Sequence, residues 1–233
     1  MNFSDKIALV AGGTGGLGRA VVVAFLNAGA RVLVPYRNPA DFESLRATAG
    51  EVAARLEGGL LDASDAAAVK QFADLAVSVH KRLDILVNCV GGYAGGSKLW
   101  ETDAETYERM LDLNLKAGYA LARAVLPVMI RQGSGCVVNV AGRAGVGPAA
   151  GAALYGASKA AAISLFASLA EEVEGWGIRV NSVLPSIMDT PANRAAMPKA
   201  DFSKWPKTEE VARVILFLCS DDARLIHGAA IPV

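Results

Sequence analysis

The chain has no excess of either charge, few aromatics, two histidines and three cysteines, and each shortage removes a class of function. Lysine plus arginine number 23 and aspartate plus glutamate 23. With no block of like charge, the sequence offers neither a nucleic-acid tract nor a patch drawn to an anionic membrane. Small molecules are the expected partners. Cys89, Cys136 and Cys219 are odd in number, widely spaced and set among apolar neighbours. They read as buried thiols in a reducing compartment, which implies a cytoplasmic protein. His80 and His227 lack the spacing of metal ligands, so no metal site is expected. No apolar run approaches the roughly 18 residues of a membrane helix, and polar opening residues lead at once into a strand. Neither a signal peptide nor a membrane span is expected.

What is present is a large apolar fraction, 53% of 233 residues. That is enough to bury the core of one large α/β domain, and no repeat or low-complexity linker divides the chain. Ile7 to Val10 is a short apolar run, followed by Ala11-Gly12-Gly13-Thr14-Gly15-Gly16-Leu17-Gly18 and an amphipathic segment to about Ala28. Strand, tight glycine turn and helix in that order make a cradle for a pyrophosphate. Glycines let the backbone approach closely, and the helix N-terminus supplies free N–H groups and a positive dipole end. Gly12, Gly16 and Gly18 keep a G-x-x-x-G-x-G spacing, looser than the G-x-G-x-x-G fingerprint, with Thr14 and Leu17 inside the same turn.

Arg31 to Val34 is the second strand, and the residues after it face the adenosine ribose in such a fold. Pro35-Tyr36-Arg37-Asn38 offers no carboxylate for the 2′-hydroxyl of NAD and one guanidinium that suits a 2′-phosphate. This favours NADP(H), with NAD(H) possible and a merely hydrated Arg37 the alternative. A helix is expected over 41–56 and a brief strand at Leu60-Leu61. Asp62 closes that strand, either to accept from an adenine amino group or to cap the helix after Ser64-Asp65. Leu83 to Val87 is a buried strand that ends in Asn88-Cys89-Val90-Gly91-Gly92, where small residues leave room for a cofactor beside Asn88 and Gly91.

Trp100 to about Arg131 has helical periodicity and carries Asn114 between Leu113 and Leu115. An amide in such a setting needs partners. It either bonds backbone at a kink or holds a water that relays protons to Lys159, and the two are compatible. Cys136 to Val140 is the fifth strand, and a helix from Ala152 to about Glu174 follows. That helix carries Tyr155 and Lys159, four apart and so on one face. A lysine ammonium beside a phenol favours the phenolate and lowers the tyrosine pKa, which suits a general acid/base. The alanine-rich surface of this helix, with the Asn114 helix, suits close packing against a second copy, hence a homodimer or homotetramer. Burial against the sheet is the alternative. Arg179 to Leu184 is the sixth strand. Residues 185–205 lack periodicity and are long for a loop, which marks a substrate lid. A last helix runs from Thr208 to Ser220, and Ala229 to Val233 is the seventh strand.

Gly12/Gly16/Gly18, Asp62, Asn88, Asn114 and Tyr155-x-x-x-Lys159, in this order, resemble the short-chain dehydrogenase/reductase family over nearly the whole chain. The resemblance implies an α/β, Rossmann-like three-layer αβα fold with a seven-stranded, mostly parallel sheet, one NAD(P)-binding domain over 1–233. It further implies Tyr155 as proton donor, Lys159 as its pKa-lowering partner and ribose binder, and Asn114 as water holder. Pro185, Ile187 and Thr190 would meet the cofactor, Thr190 at the nicotinamide amide. One departure matters. The family's serine lies thirteen residues before the tyrosine and three after a strand asparagine, and from Tyr155 and Asn139 both counts lead to Gly142.

A narrower stretch bears on that loss. Leu184 to Trp205 and Gly91 to Gly96 are similar to the corresponding segments of quinonoid dihydropteridine reductases, which also keep tyrosine and lysine without the serine. A quinonoid dihydropterin is reduced at a conjugated C=N system, so no alkoxide needs stabilising. Tyr93 and Trp100 would either offer a flat face to such a ring or pack in the core. The resemblance implies hydride transfer from a nicotinamide to a conjugated ring. A carbonyl, 3-oxoacyl or quinone reductase with a substitute for the serine, and a catalytically weak cofactor-binding sensor or scaffold, are the alternatives.

Overall fold

Short, mostly apolar runs alternate with amphipathic segments, and the runs become strands of three to seven residues covered by helices on both faces. The computed structural model describes residues 1–233. In chain order the elements are β1 (Ile7–Ala11), α1 (Gly16–Asn27), β2 (Arg31–Tyr36), α2 (Pro39–Ala49), β3 (Leu56–Leu60) and α3 (Ala66–His80). β4 (Ile85–Asn88), α4 (Ala104–Leu111), α5 (Ala117–Gln132), β5 (Gly135–Val140) and α6 (Ala153–Glu172) follow. β6 (Ile178–Leu184), α7 (Pro191–Ala196), α8 (Thr208–Cys219) and β7 (Ala230–Pro232) complete the chain. The sheet runs β3-β2-β1-β4-β5-β6-β7, and every pairing is parallel. The expected αβα architecture is what forms. The order reverses between β1 and β4, which opens the crevice at the strand C-termini where open α/β sheets bind ligands. Register sets that crevice level: Ala11 pairs with Asn88, and Asn88 with Asn139.

Alternating side chains feed two cores, which is why the strands read as continuous apolar runs. Ala8 and Val10 join Val21 and Phe25 of α1 and Ile215 of α8. Leu9 joins Leu121 and Val125 of α5 and Phe166 of α6 on the opposite face. Phe25 and Phe166 are fully buried, each contributing roughly 1.5–3 kcal/mol. Ala104–Gln132 and Ala153–Glu172 are long and apolar enough to cross a membrane by length and composition alone. Here both flank the sheet and bury side chains against it.

Three boundaries differ from expectation. The helix after β2 stops at Ala49, where Gly50 has a φ of 55°, and a 3-10 turn spans Gly50–Arg55. The third strand therefore covers Leu56–Leu60, not Leu60-Leu61. Gly58 and Gly59 sit inside it because aromatic rings fill the space their side chains would take: a Cβ on Gly58 would lie 2.5 Å from Phe42, and one on Gly59 2.6 Å from Phe72. The segment expected as one helix from Trp100 opens only at Ala104, where the Asp103 carboxylate accepts from the Thr106 N–H at 2.6 Å. It passes through a π-helical turn at Asp112–Lys116. Finally, 185–205 is not irregular throughout, since it contains α7 and a 3-10 turn at Phe202–Lys204.

Candidate active site

The glycine turn is built by close approach. A Cβ on Gly18 would lie 2.0 Å from the Gly12 carbonyl oxygen, and one on Gly12 would lie 2.7 Å from the Cys89 backbone. Gly12 also has a φ of 73°, a conformation that favours glycine. The turn delivers α1 with Gly15 at its N-cap and no side-chain cap, so its first N–H groups remain available to an anion. A cavity of about 620 Å³ extends from Gly12, Gly16, Leu17 and Gly18 past Gly91 to Tyr155, Lys159, Pro185 and Thr190. A second, of about 200 Å³, holds Thr14, Arg37, Asp62 and Ser64 and shares Gly12, Gly15, Cys89 and Gly91 with the first. Backbone donors flanked by an arginine at one end and a lysine at the other suit a dinucleotide laid across the turn.

At the far end, Lys159 is 5% exposed and its Nζ donates to the Val140 carbonyl at 3.3 Å. Asn114 sits in the π-turn, a feature often found at functional sites. Its Oδ1 accepts from the Gly92 N–H at 3.0 Å, and its Nδ2 donates to the Gly92 carbonyl and to Ser158 Oγ, both at 3.0 Å. Ser158 Oγ in turn donates to the Tyr155 carbonyl at 2.8 Å. The kink reading is what these bonds show: Asn114 bonds the Gly92 backbone and fastens the loop after β4 to the helix that carries Tyr155. A Cβ on Gly91 would lie 2.9 Å from both Asn114 Oδ1 and Lys159 Nζ, so the two side chains face one point.

The electrostatics run against one expectation. Lys159 Nζ lies 5.9 Å from the Tyr155 ring centroid and does not offset desolvation of the phenol. Burial, with Tyr93 adding to it, raises the Tyr155 pKa instead of lowering it. The lysine carries the depressed value: burial lowers Lys159 from 10.5 to about 8. Burial likewise pushes the Cys89 thiol up to about 12, against the pull of Lys159.

Gly142 has an extended backbone, with φ 167° and ψ 155°. A Cβ there would lie 3.1 Å from Tyr155 Oη, so this bare position faces the phenol directly. Tyr93 is 69% exposed and meets Tyr155 edge to face at 5.0 Å between centroids. Trp100 is 79% exposed on an outlying turn under Lys98. Neither packs in the core, and only Tyr93 borders the site.

The remaining residues divide by role. Asn88 Nδ2 donates to Asn139 Oδ1 at 2.9 Å, and its Oδ1 accepts from the Val90 N–H, so its side chain shapes the crevice floor. Asp62 Oδ1 accepts from the Ser64 N–H and hydroxyl at 2.8 Å, and these bonds hold its carboxyl below the usual range. The α3 cap is Asp65, not Asp62. Arg37 is exposed and lies 3.7 Å from the Asp62 carboxylate. The cavity beside Arg37 therefore contains an acid that the residues after β2 do not supply, because it follows β3. Thr190 is buried, caps α7 through its Oγ1, and approaches Gly16. Just before it, Asp189 pairs with Arg194 and Lys207, which hold its carboxyl well below the usual range. Ile187 is half-exposed beside Tyr155 in the outer cavity. His80 bonds Glu57 at 3.0 Å, and His227 bonds Val180 and Ala170 backbone, so both histidines serve the scaffold. Ser158 and Asp189 were not singled out from sequence. Ser158 alone gave a signal, lying next to Lys159 on the sheet-facing side of the helix.

A family profile described as short chain dehydrogenase matches residues 6–201. The 3-oxoacyl-acyl-carrier-protein reductase FabG of Thermotoga maritima is 30% identical over 241 residues, covering 100% of this chain and 98% of its own. A solved short-chain type dehydrogenase/reductase from Mycobacterium ulcerans superposes with a TM-score of 0.94 at 26% identity, over 100% of this chain and 90% of its own. ElxO, solved with NADP bound, gives 0.93 at 26% identity over 98% and 96%.

Proposed function

We propose that this chain, which belongs to the short-chain dehydrogenase/reductase family of NAD(P)-dependent oxidoreductases, reduces a conjugated ring substrate, best matched by a quinonoid dihydropterin. The observation that carries the reading is the bare Gly142 beside Tyr155 Oη. A ketone reductase needs a donor there for the developing alkoxide, and losing one such donor costs roughly 3 kcal/mol. A conjugated C=N substrate does not. The similarity of 91–96 and 184–205 to dihydropteridine reductases supports the same conclusion.

A bound nicotinamide cofactor supplies the hydride. Tyr155, kept protonated at neutral pH by its raised pKa, gives its proton to the substrate nitrogen that lies against Gly142. Lys159, with a pKa of about 8, is mostly cationic at pH 7, so it can bind the cofactor ribose and replace the proton that Tyr155 gives up. Asn114 holds Gly92 and Ser158 in place and positions a water through which Lys159 returns the proton to Tyr155. Gly12 to Gly18 would hold the pyrophosphate, Asn88 and Gly91 the floor beneath it, Asp62 the adenosine, and Pro185, Ile187 and Thr190 the nicotinamide side. Arg37 favours NADPH over NADH, its pairing with Asp62 moderating that preference. The chain acts as one domain with 185–205 as lid, in the cytoplasm. It does so as a homodimer or homotetramer through α5 and α6, where Ala153, Ala157, Ala160 and Ala167 leave a smooth exposed face beside the apolar groove of Leu111, Leu115, Tyr119 and Leu165.

A second reading, a carbonyl or 3-oxoacyl reductase with another donor in place of the serine, is favoured by the kinship with FabG. Initial rates of NADPH and NADH oxidation with quinonoid dihydropterin, ketones, quinones and 3-oxoacyl thioesters separate the two. Turnover of the pterin alone is the expected result. Fast ketone reduction sinks the first reading and establishes the second.

A further inference from the structure

Beyond Tyr155 the crevice opens into a cavity of about 720 Å³, lined by 14 residues that include Ile187, Met188 and Met197 from the lid segment and Tyr93 from the loop after β4. Arg143 is the one lining residue that carries a charge at neutral pH. It follows Gly142 directly, so the chain presents a bare position to the reacting end of the substrate and a guanidinium to the next part of it. The base of that side chain is fixed. The Arg143 N–H donates to the Pro185 carbonyl at 3.2 Å, and its carbonyl accepts from the Val146 N–H at 3.1 Å. Arg143 is exposed, and none of the ion pairs of the molecule engages it. Asp189, in the lid segment, is taken up by Arg194 and Lys207.

An unpaired guanidinium on a largely apolar wall has five donors and no acceptor facing it. Its natural complement is a planar or tetrahedral oxyanion, bound by two parallel N–H···O bonds. We infer that Arg143 is a specificity-determining residue and that the substrate carries an anionic oxyacid group, a carboxylate or a phosphate, attached to the ring or chain whose double bond is reduced at Tyr155. The assignment rests on the placement of the substrate proposed above. It deepens that reading by adding a charge that a simple dihydropterin lacks. The apolar side chains of Ile187, Met188 and Met197 cover the body of such a substrate, and Arg143 fixes which way round it lies.

The test is binding to the NADPH-loaded protein in two probe series, followed by fluorescence or calorimetry. The first compares pterin-6-carboxylate with 6-methylpterin. The second compares 4-carboxybenzaldehyde with its methyl ester and with 4-formylphenyl phosphate. In at least one series the acidic member should bind roughly tenfold or more tightly than its neutral partner. Arg143→Ala should erase that preference while leaving the neutral members unchanged, and Arg143→Lys should keep part of it. The phosphate arm tells the two anion sources apart. An equal affinity for acid and neutral members in both series overturns the inference, as does a preference that survives in Arg143→Ala. Tyr155→Phe keeps the acid preference while losing turnover. An acid preference confined to the aldehydes would retire the pterin reading and leave the anion site standing.

Discussion

Two glycines at opposite ends of the crevice carry opposite meanings. At Gly18 an added methyl group would sit 2.0 Å from a carbonyl oxygen, so the backbone itself requires glycine. At Gly142 the added carbon would stand 3.1 Å from Tyr155 Oη on an extended backbone that any residue adopts. The first end of the crevice is specified by main-chain geometry and the second by the choice of side chains. On the function proposed above, cofactor binding is hard to alter without unfolding the turn, whereas substrate chemistry is open to single substitutions.

The largest expected effect lies wholly at the side-chain end. Tyr155→Phe should lower turnover by roughly 10²–10⁴-fold while leaving the thermal midpoint nearly unchanged; a variant at full speed would remove the tyrosine from the mechanism. Gly18→Ala tests the main-chain end and should cost on the order of 3 kcal/mol or more, seen as a lower denaturant midpoint together with weakened cofactor binding. If it folds and binds normally, the contrast collapses.

Lys159 sharpens the contrast by placing a stability cost at the chemical end. Its folded pKa of about 8 lies below the ordinary 10.5, so the unfolded chain binds more protons between those values and stability rises as pH climbs through them. Below about pH 8 both states are protonated, and the cost of burying the charge is present in full, up to ~3 kcal/mol. Denaturation of Lys159→Met should lack that rise between pH 8 and 10.5; an unchanged slope would assign it elsewhere. Gly142→Ser should leave the fold intact and raise ketone reduction roughly 10–100-fold. No gain would mean that the position does not face the reacting carbon. The smallest effect is at the ribose end. Arg37→Ala should weaken NADPH roughly tenfold while sparing NADH, because a single exposed charge already shared with Asp62 is at stake.

The same division explains what could be read in advance. The succession of strands and helices, the glycine turn and the Tyr155/Lys159 spacing were legible because backbone periodicity and local spacing encode them. The Gly58-Gly59 pair misled because its partners, Phe42 and Phe72, come from other elements. The Asp62 carboxylate beside Arg37 depends on β3 lying next to β2. The direction of the Tyr155 shift depends on how deeply the phenol is buried, which no four-residue spacing reports. The π-turn at Asn114 leaves no mark in composition. Its role needed Gly92 and Ser158, 22 residues before it and 44 after.

The bare wall at Gly142 also has a use in ligand design. A small inhibitor bearing one extra methyl group where it faces this glycine would be received here, whereas in a relative with serine at that point the same methyl would collide with the side chain. On the substrate placement proposed above, the bare position thereby becomes a selectivity handle, a notch that an oxidoreductase of the same architecture with serine at that point would not offer.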